Sequence, residues 1–374
     1  MVDKDNYEDK RGDLEGWADN WKEDGMALKV TSWNVEDSNE LNLDHPSINE
    51  LNRIRRIQAT IDAINPDILC LVEAPKGEIG IQKFSVNVLN GRWVPVFLPR
   101  KGKALGTRDK EYQIQQDQWI WFLVRNELAD NCTLQDPATW QSYIGHSEWE
   151  VNLWGQTNPQ RFGHFRHPQV MIYDLGGGRN IEFIGVHLKS KINKKKVQRD
   201  AKGHLTGAYL ADAMKSRIRL ATEARNIREY ISQKFKQVPY PGIVVMGDCN
   251  DGPGHDYFEK KYLFFDLISN IQGDVMLAER FFNHALFDYP GELRWTAKYD
   301  DDVSVPKISA KNNPLLLDNI FISQPLCRGQ LPFVANEHAG IVEHEIYERV
   351  NAGSNSKTRS SDHRPITCVF EDVV

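Results

Sequence analysis

Ile243-Val-Val-Met-Gly-Asp-Cys-Asn-Asp251 begins with four apolar residues, three of them β-branched, and ends in a burst of carboxylate and amide groups. The apolar part is too short for a helix and is broken by Gly247, so it predicts a buried strand that delivers Asp248 and Asn250 to its end. Asp and Asn ahead of Gly252-Pro253 are also ordinary turn formers. Outward from this stretch the same pattern recurs. Asn34 follows the run Leu28 to Trp33, Glu73 follows Ile68 to Val72, and His187 follows Ile181 to Val186. Asp318 lies inside Leu315 to Ile322, and Asp362 with His363 stands just before Ile366 to Phe370. Polar groups at the ends of neighbouring strands converge on one edge, and the apolar runs hold them rigid.

Between the strands lie helical patterns. Ile54, Ile57, Ile61 and Ile64 fall at helical spacing and meet Pro66 as a stop, and a second helix is predicted from Ile218 to Phe235. The chain is therefore mixed α and β. Leu14, Trp17 and Trp21 also keep helical spacing, so residues 1–27 form an extension that docks a short helix on the body or offers a partner site. Residues 100–165, rich in Trp and Gln, and 323–361 have weak periodicity and are expected to hold long, substrate-shaping loops. Trp140, Trp149 and Trp154 there are either core or a platform for stacked bases.

With 374 residues, 40% apolar and 26% charged, the chain can bury a large core and fits no fibrous, disordered or membrane class. No apolar run is long enough to cross a bilayer, and residues 1–24 lack the basic start and apolar stretch of an export signal, so a cytoplasmic location is expected. The 5 cysteines are odd in number and show no CxxC spacing, which argues against a disulfide framework and a thiolate zinc site. The net charge of −6 leaves any polyanion to be met by a local patch or by metal ions. Carboxylates and amides with few thiolates favour Mg²⁺ or Mn²⁺, which needs only one or two protein carboxylates beside water and phosphate oxygens.

Thr31-Ser-Trp-Asn-Val35, Pro66-Asp-Ile-Leu-Cys-Leu-Val-Glu73, Val186-His-Leu-Lys-Ser190, Met246-Gly-Asp-Cys-Asn-Asp251, Leu317-Asp-Asn-Ile-Phe-Ile-Ser323 and Ser361-Asp-His-Arg-Pro-Ile366 follow one another in that order. The series resembles that of the endonuclease/exonuclease/phosphatase superfamily, which contains deoxyribonuclease I-like and exonuclease III-like metal-dependent phosphoesterases. The resemblance runs from about residue 28 to 370. It implies one deoxyribonuclease I-like α/β (α+β) domain over 28–374, a four-layered α/β/β/α sandwich of two packed mixed sheets, with insertions near 100–165, 189–215 and 323–361. It further implies Glu73 as principal ligand of Mg²⁺ or Mn²⁺, assisted by Asn34 and Asp362. Asp248 and Asn250 match the groups that position the attacking water and the phosphate, His363 the catalytic histidine with Asp318 orienting it, and His187 a second histidine on the phosphate. Whether Asp248 or His363 takes the water's proton is left open by the motifs.

Lys189, Lys191, Lys194, Lys195, Lys196, Arg199 and Lys202 crowd the segment after His187 against a single acid, Asp200. Such a run is either a solvated loop or a contact for a polyanion's backbone. Arg166, in Phe165-Arg-His-Pro168, is a structural residue or a phosphate contact. These residues favour a nuclease acting on DNA or RNA. The alternative is hydrolysis of a small phosphorylated metabolite, phosphoinositide or phospholipid head group; a scaffold without catalysis is disfavoured because every expected catalytic position is filled.

Overall fold

Each apolar run forms a strand in the computed structural model, except that Leu315 to Ile322 is split, Leu315 ending one strand and Asp318 starting the next; the structure describes residues 27–99, 102–113, 115–145, 148–152, 158–191, 197–254, 256, 258–263, 266, 268–301 and 310–373. Leu14, Trp17, Trp21 and Trp154 lie outside the described residues, as do Lys194, Lys195 and Lys196. In chain order the strands are β1 (Ala27–Asn34), β2 (Ile68–Ala74), β3 (Trp93–Pro95), β4 (Trp119–Arg125), β5 (Cys132–Leu134), β6 (Glu148–Val151), β7 (Gln160–Gly163), β8 (Gln169–Gly176) and β9 (Arg179–His187). They continue as β10 (Gly242–Asp248), β11 (Asn283–His284), β12 (Ala297–Asp301), β13 (Ala310–Leu315), β14 (Asp318–Ile322), β15 (Phe333–Val334), β16 (Gly340–Val342) and β17 (Ile366–Asp372).

A seven-stranded sheet runs β15-β17-β1-β2-β4-β3, with β16 also on β17, and a six-stranded sheet runs β11-β14-β10-β9-β8-β5. β1 and β2 are parallel, β9 and β10 are parallel, and β17 and β14 run antiparallel to β1 and β10. The carboxyl ends of β1, β2, β9 and β10 therefore share an edge with the amino ends of β14 and β17. The strand period of two sorts the core: Val244, Met246 and Ile320 face the other sheet, while Ile243, Val245 and Phe321 face helices.

Helix α1 (Ile48–Ile64) starts at a capping box made by Ser47 and Glu50 and ends at Asn65, in left-handed conformation, just before Pro66. Its Ile54, Ile57 and Ile61 pack with Ile81 and Phe84 of α2 (Gly77–Asn87) against the first sheet. Across the molecule α3 (Pro137–Ile144) and α4 (Gly207–Gln237) cover the second sheet with Trp140, Leu220, Ala224, Ile227 and Ile231. The result is α/β/β/α layering. Among the described residues no helix is long and apolar enough to cross a membrane. All 5 cysteines are free thiols, with Cys70, Cys249 and Cys368 buried as core residues.

Two sequence expectations change. The second helix starts eleven residues before Ile218 by the numbering, at Gly207, because Thr206 caps it and Tyr209, Ala213 and Met214 extend its buried face. Besides the expected strand at Trp119 to Val124, the stretches 100–165 and 323–361 hold a chain of short elements instead of long loops, including α3, the β6–β7 hairpin, β16 and the helix His344–Asn351. Strands of two to four residues are too short to show a period in sequence and form by pairing with neighbours.

Candidate active site

The edge shared by the two sheets carries the site. Asp248 stands in register with His187 on β9 and with Asp318 on β14, so three strands place carboxylate, imidazole and carboxylate in one row. From the first sheet, Asn34 ends β1 and Glu73 is the last residue but one of β2. Asn34 joins the sheets: its amide nitrogen donates to Glu73 Oε1 at 3.1 Å and to Asp248 Oδ2 at 3.0 Å. Its amide oxygen accepts from the Glu36 backbone at 2.9 Å, so the nitrogen faces the carboxylates.

Glu73 sits at a bulge between β2 and β4 with φ +56°, and this left-handed turn aims its side chain along the edge. The Asp37 amide donates to its other oxygen at 2.8 Å. Burial pushes Glu73 up to about 7, against the pull of the Asp37 and Asn34 hydrogen bonds and with the Asp37 and Asp248 charges adding to it. Asp248 is pushed up to about 6 by burial and then by the Asp318 charge.

Glu73, His187 and Asp248 each offer a ligand atom within 4.8 Å of the others, and so do Asp248, Asp318 and His363. His187 Nε2 lies 3.7 Å from Glu73 Oε1 and 3.6 Å from Asp248 Oδ2. Burial, then the Arg166 and His363 charges, hold its imidazole well below the usual range, and its Nδ1 is buried without a hydrogen-bond partner. A neutral imidazole and two carboxylates fit a divalent cation. Asp362 is in neither grouping; its carboxylate accepts from the Tyr299 hydroxyl at 3.0 Å and pairs with Arg359 at 3.6 Å.

His363 Nδ1 lies 2.7 Å from Asp318 Oδ2, and both side chains are buried. Its Nε2 lies 3.1 Å from the Tyr299 oxygen, whose own proton goes to Asp362. With the Tyr299 proton directed to Asp362, both ring nitrogens face acceptors, an arrangement that favours the imidazolium. Burial opposes that charge, but Asp318, then Asp248 and Asp362, outweigh it and raise the imidazole to about 10. Asn250, at φ +52°, donates its backbone N–H to Asp248 Oδ1 at 2.7 Å and its amide to the Leu188 carbonyl at 2.9 Å, closing the end of β10 onto the segment after β9.

Arg166, 8% exposed, bonds Gln118 and lies in the field of Glu73 and Asp248. Lys189 reaches the Ser190 carbonyl at 3.3 Å and lies 5.3 Å from the Phe165 ring centre. Lys191, also in the basic run, is taken by Asp251, Asp256 and Glu259 instead of facing solvent.

Two residues of the site had no signal in the sequence. Tyr299 sits on β12 of a small two-stranded ladder whose sequence carries no apolar run. Glu223 reads as one more charge on a long helix, yet it is 1% exposed and accepts the Phe165 and Lys189 backbone N–H groups at 2.7 Å each. Clustered carboxylates, a histidine held neutral and a carboxylate-bound imidazole lie together on one shared edge, a site that can hold a divalent cation beside groups suited to acid–base chemistry.

No family model and no curated protein matches the sequence. Among solved structures the chain is similar to TDP2 from C. elegans, at 14% identity over 96% of this chain and 80% of that one, with a TM-score of 0.47. It is similar to D. rerio TDP2 complexed with a single-strand DNA product, at 13% identity over 92% and 99%, with a TM-score of 0.45. An endonuclease/exonuclease/phosphatase from Beutenbergia cavernae gives 15% identity over 92% and 72%, with a TM-score of 0.43. The chain's own two mixed sheets, helix-covered on both outer faces and carrying the site on one shared edge, form the deoxyribonuclease I-like sandwich that the six motifs imply.

Proposed function

We propose that the chain hydrolyses phosphodiester bonds of nucleic acid with the help of Mg²⁺ or Mn²⁺. The observation that carries this reading is the Asn34 bridge, which brings Glu73 of one sheet and Asp248 of the other to a single point beside the Asp318–His363 pair. Glu73 and Asp248 would hold the cation, with His187 in reach. When bound, the metal neutralises charge on the phosphoryl oxygens.

The chain's own groups supply the rest. His363, protonated on both nitrogens, gives a positive donor to a phosphoryl oxygen, and Asp318 keeps it in that state. That state leaves Asp248 as the acceptor for the water's proton, held in place by the Asn250 and Asn34 donors. The water oxygen bonds to phosphorus, the ester P–O bond breaks, and the departing oxygen takes a proton from solvent or from the Tyr299–Asp362 pair. Support for a nucleic-acid substrate comes from Arg166, whose charge is felt at Glu73 and Asp248, and from Lys189, whose charge is felt at His187. Lys194, Lys195 and Lys196 are assigned to the same backbone contact on the strength of their place in the sequence.

Labelled single- and double-stranded DNA and RNA, incubated with Mg²⁺, Mn²⁺ or EDTA, test the reading. Glu73→Ala and His363→Ala are expected to lower cleavage at least about 100-fold with the fold intact. Cleavage that survives EDTA, or an unchanged rate in either variant, ends it.

A further inference from the structure

Gln118 makes a second connection between the two sheets, beside that of Asn34. It directly precedes Trp119, the first residue of β4, which pairs with Ala74, the neighbour of Glu73. Both ends of its amide are used: the nitrogen donates to Asp37 Oδ1 at 2.8 Å, and the oxygen accepts from the Arg166 guanidinium. The Asp37 backbone N–H in turn donates to Glu73 Oε2 at 2.8 Å. Arg166 comes from the side of the other sheet, three residues before Gln169, which opens β8 and pairs with Gly185 two residues ahead of His187. A line of contacts therefore runs from Glu73 through Asp37 and Gln118 to Arg166, crossing from the first sheet to the second.

The contact with Arg166 is uncharged on the Gln118 side, and that matters because Arg166 is buried. Among the described residues no carboxylate pairs with its guanidinium, whose Nε is buried without a hydrogen-bond partner. Burial weakens its hold on the proton, and the charges of Glu73, Asp248, Glu223 and Asp37 oppose this from beyond ion-pair distance. Its own charge is felt at His187. A buried cation that no neighbouring carboxylate neutralises is costly, and its field reaches further than that of a paired one. A carboxylate at position 118 would lie against the guanidinium and cancel that field close to its source. An amide oxygen holds the same group in place and leaves its charge to the site.

We propose that Gln118 is a positioning residue, which holds Arg166 at the site through an uncharged contact so that the guanidinium's charge acts on a phosphate of the substrate. The inference rests on the phosphodiesterase reading above. Arg166 supplies the charge and Gln118 fixes where it stands. Through Asp37 the same amide ties that position to Glu73, so the cation and a carboxylate that would hold the metal keep one spacing.

Gln118→Glu tests this, since it keeps the shape of the half-buried side chain and sets a carboxylate against Arg166. Binding of a fluorescein-labelled single-stranded DNA oligonucleotide is measured by anisotropy in EDTA over a range of NaCl concentrations, and cleavage of the same DNA is followed with Mg²⁺ or Mn²⁺. Gln118→Glu is expected to weaken binding about 10-fold and to make the slope of log K against log salt shallower by about 0.7, the share of one phosphate contact on a single strand. A role in packing alone would lower the melting temperature and leave that slope unchanged. In an Arg166→Gln background the same substitution is expected to change binding less than about twofold, because the charge it cancels is gone. Gln118→Met, the fallback should the glutamate variant not unfold cooperatively, is expected to weaken binding about threefold beside Arg166 and not in the Arg166→Gln background. An unchanged salt slope in Gln118→Glu, or an equal loss of binding with and without Arg166, overturns the proposal. Binding without cleavage by either metal ends the phosphodiesterase reading by itself, and the binding measurements still decide the role of Gln118. Absence of binding at low salt overturns both.

Discussion

Asp318 has one oxygen on His363 Nδ1 and the other buried with no partner, so its charge is spent almost wholly on that imidazole. Asp318→Asn keeps the shape and removes the charge that fixes both ring protons. Its kcat is expected to fall about 10²–10⁴-fold with the circular dichroism spectrum unchanged; near-normal turnover would remove the pair from the mechanism. At this scale the sequence was most legible where an apolar run stops abruptly. Asn34, Glu73, His187 and Asp248 each follow such a run, and a strand's end fixes where a side chain points. The division of labour was not legible: which atom of Asn34 faces the carboxylates, and that Asp362 turns to Tyr299 and Arg359, depend on partners more than sixty residues away or across a turn. Tyr299 and Glu223 carry no local mark at all, because their roles are set by what packs against them.

The elements that hold these residues leave little room. Gly247 has φ +144°, and a Cβ built there would lie 1.9 Å from the Val186 carbonyl oxygen. Gly247→Ala is therefore expected to push β10 from β9 one residue before Asp248 and His187 meet. We expect it to lower both the melting temperature and activity, more than Gly291→Ala, where a Cβ meets nothing within 4 Å. Equal effects in a thermal melt would show that the ladder tolerates the shift. The longer strands and α1 were legible because five to nine residues suffice to show a period, and Ser47, Glu50 and Pro66 mark the helix ends. The stretch 100–165 was not, since its short strands are defined by their partners. That stretch nevertheless brings Gln118 to the site.

At the edge that the two sheets share lie carboxylates pushed up by burial, Glu73 to about 7 and Asp248 to about 6. Their folded-state values lie above the unfolded ones, so the folded chain binds more protons between pH 4 and 7. This pair's contribution to stability is present at the low end of that window and is lost as pH rises through it. A divalent cation displaces those protons, and its binding strengthens over the same range. The rise in melting temperature given by Mg²⁺ or Mn²⁺ is thus expected to be larger at pH 8 than at pH 5.5, and Glu73→Gln should flatten that trend. A pH-independent rise would place the ion elsewhere.

β1 is bonded along its length to β17, and the Trp33 indole donates to the His363 carbonyl at 2.9 Å. The first strand of the site thus waits for the last. On the ribosome, Asn34 and Glu73 emerge long before His363, and the ladder that seats them closes only when residues 366–372 have left the exit tunnel. A chain still being made therefore lacks the ladder that seats Asn34 beside its partners.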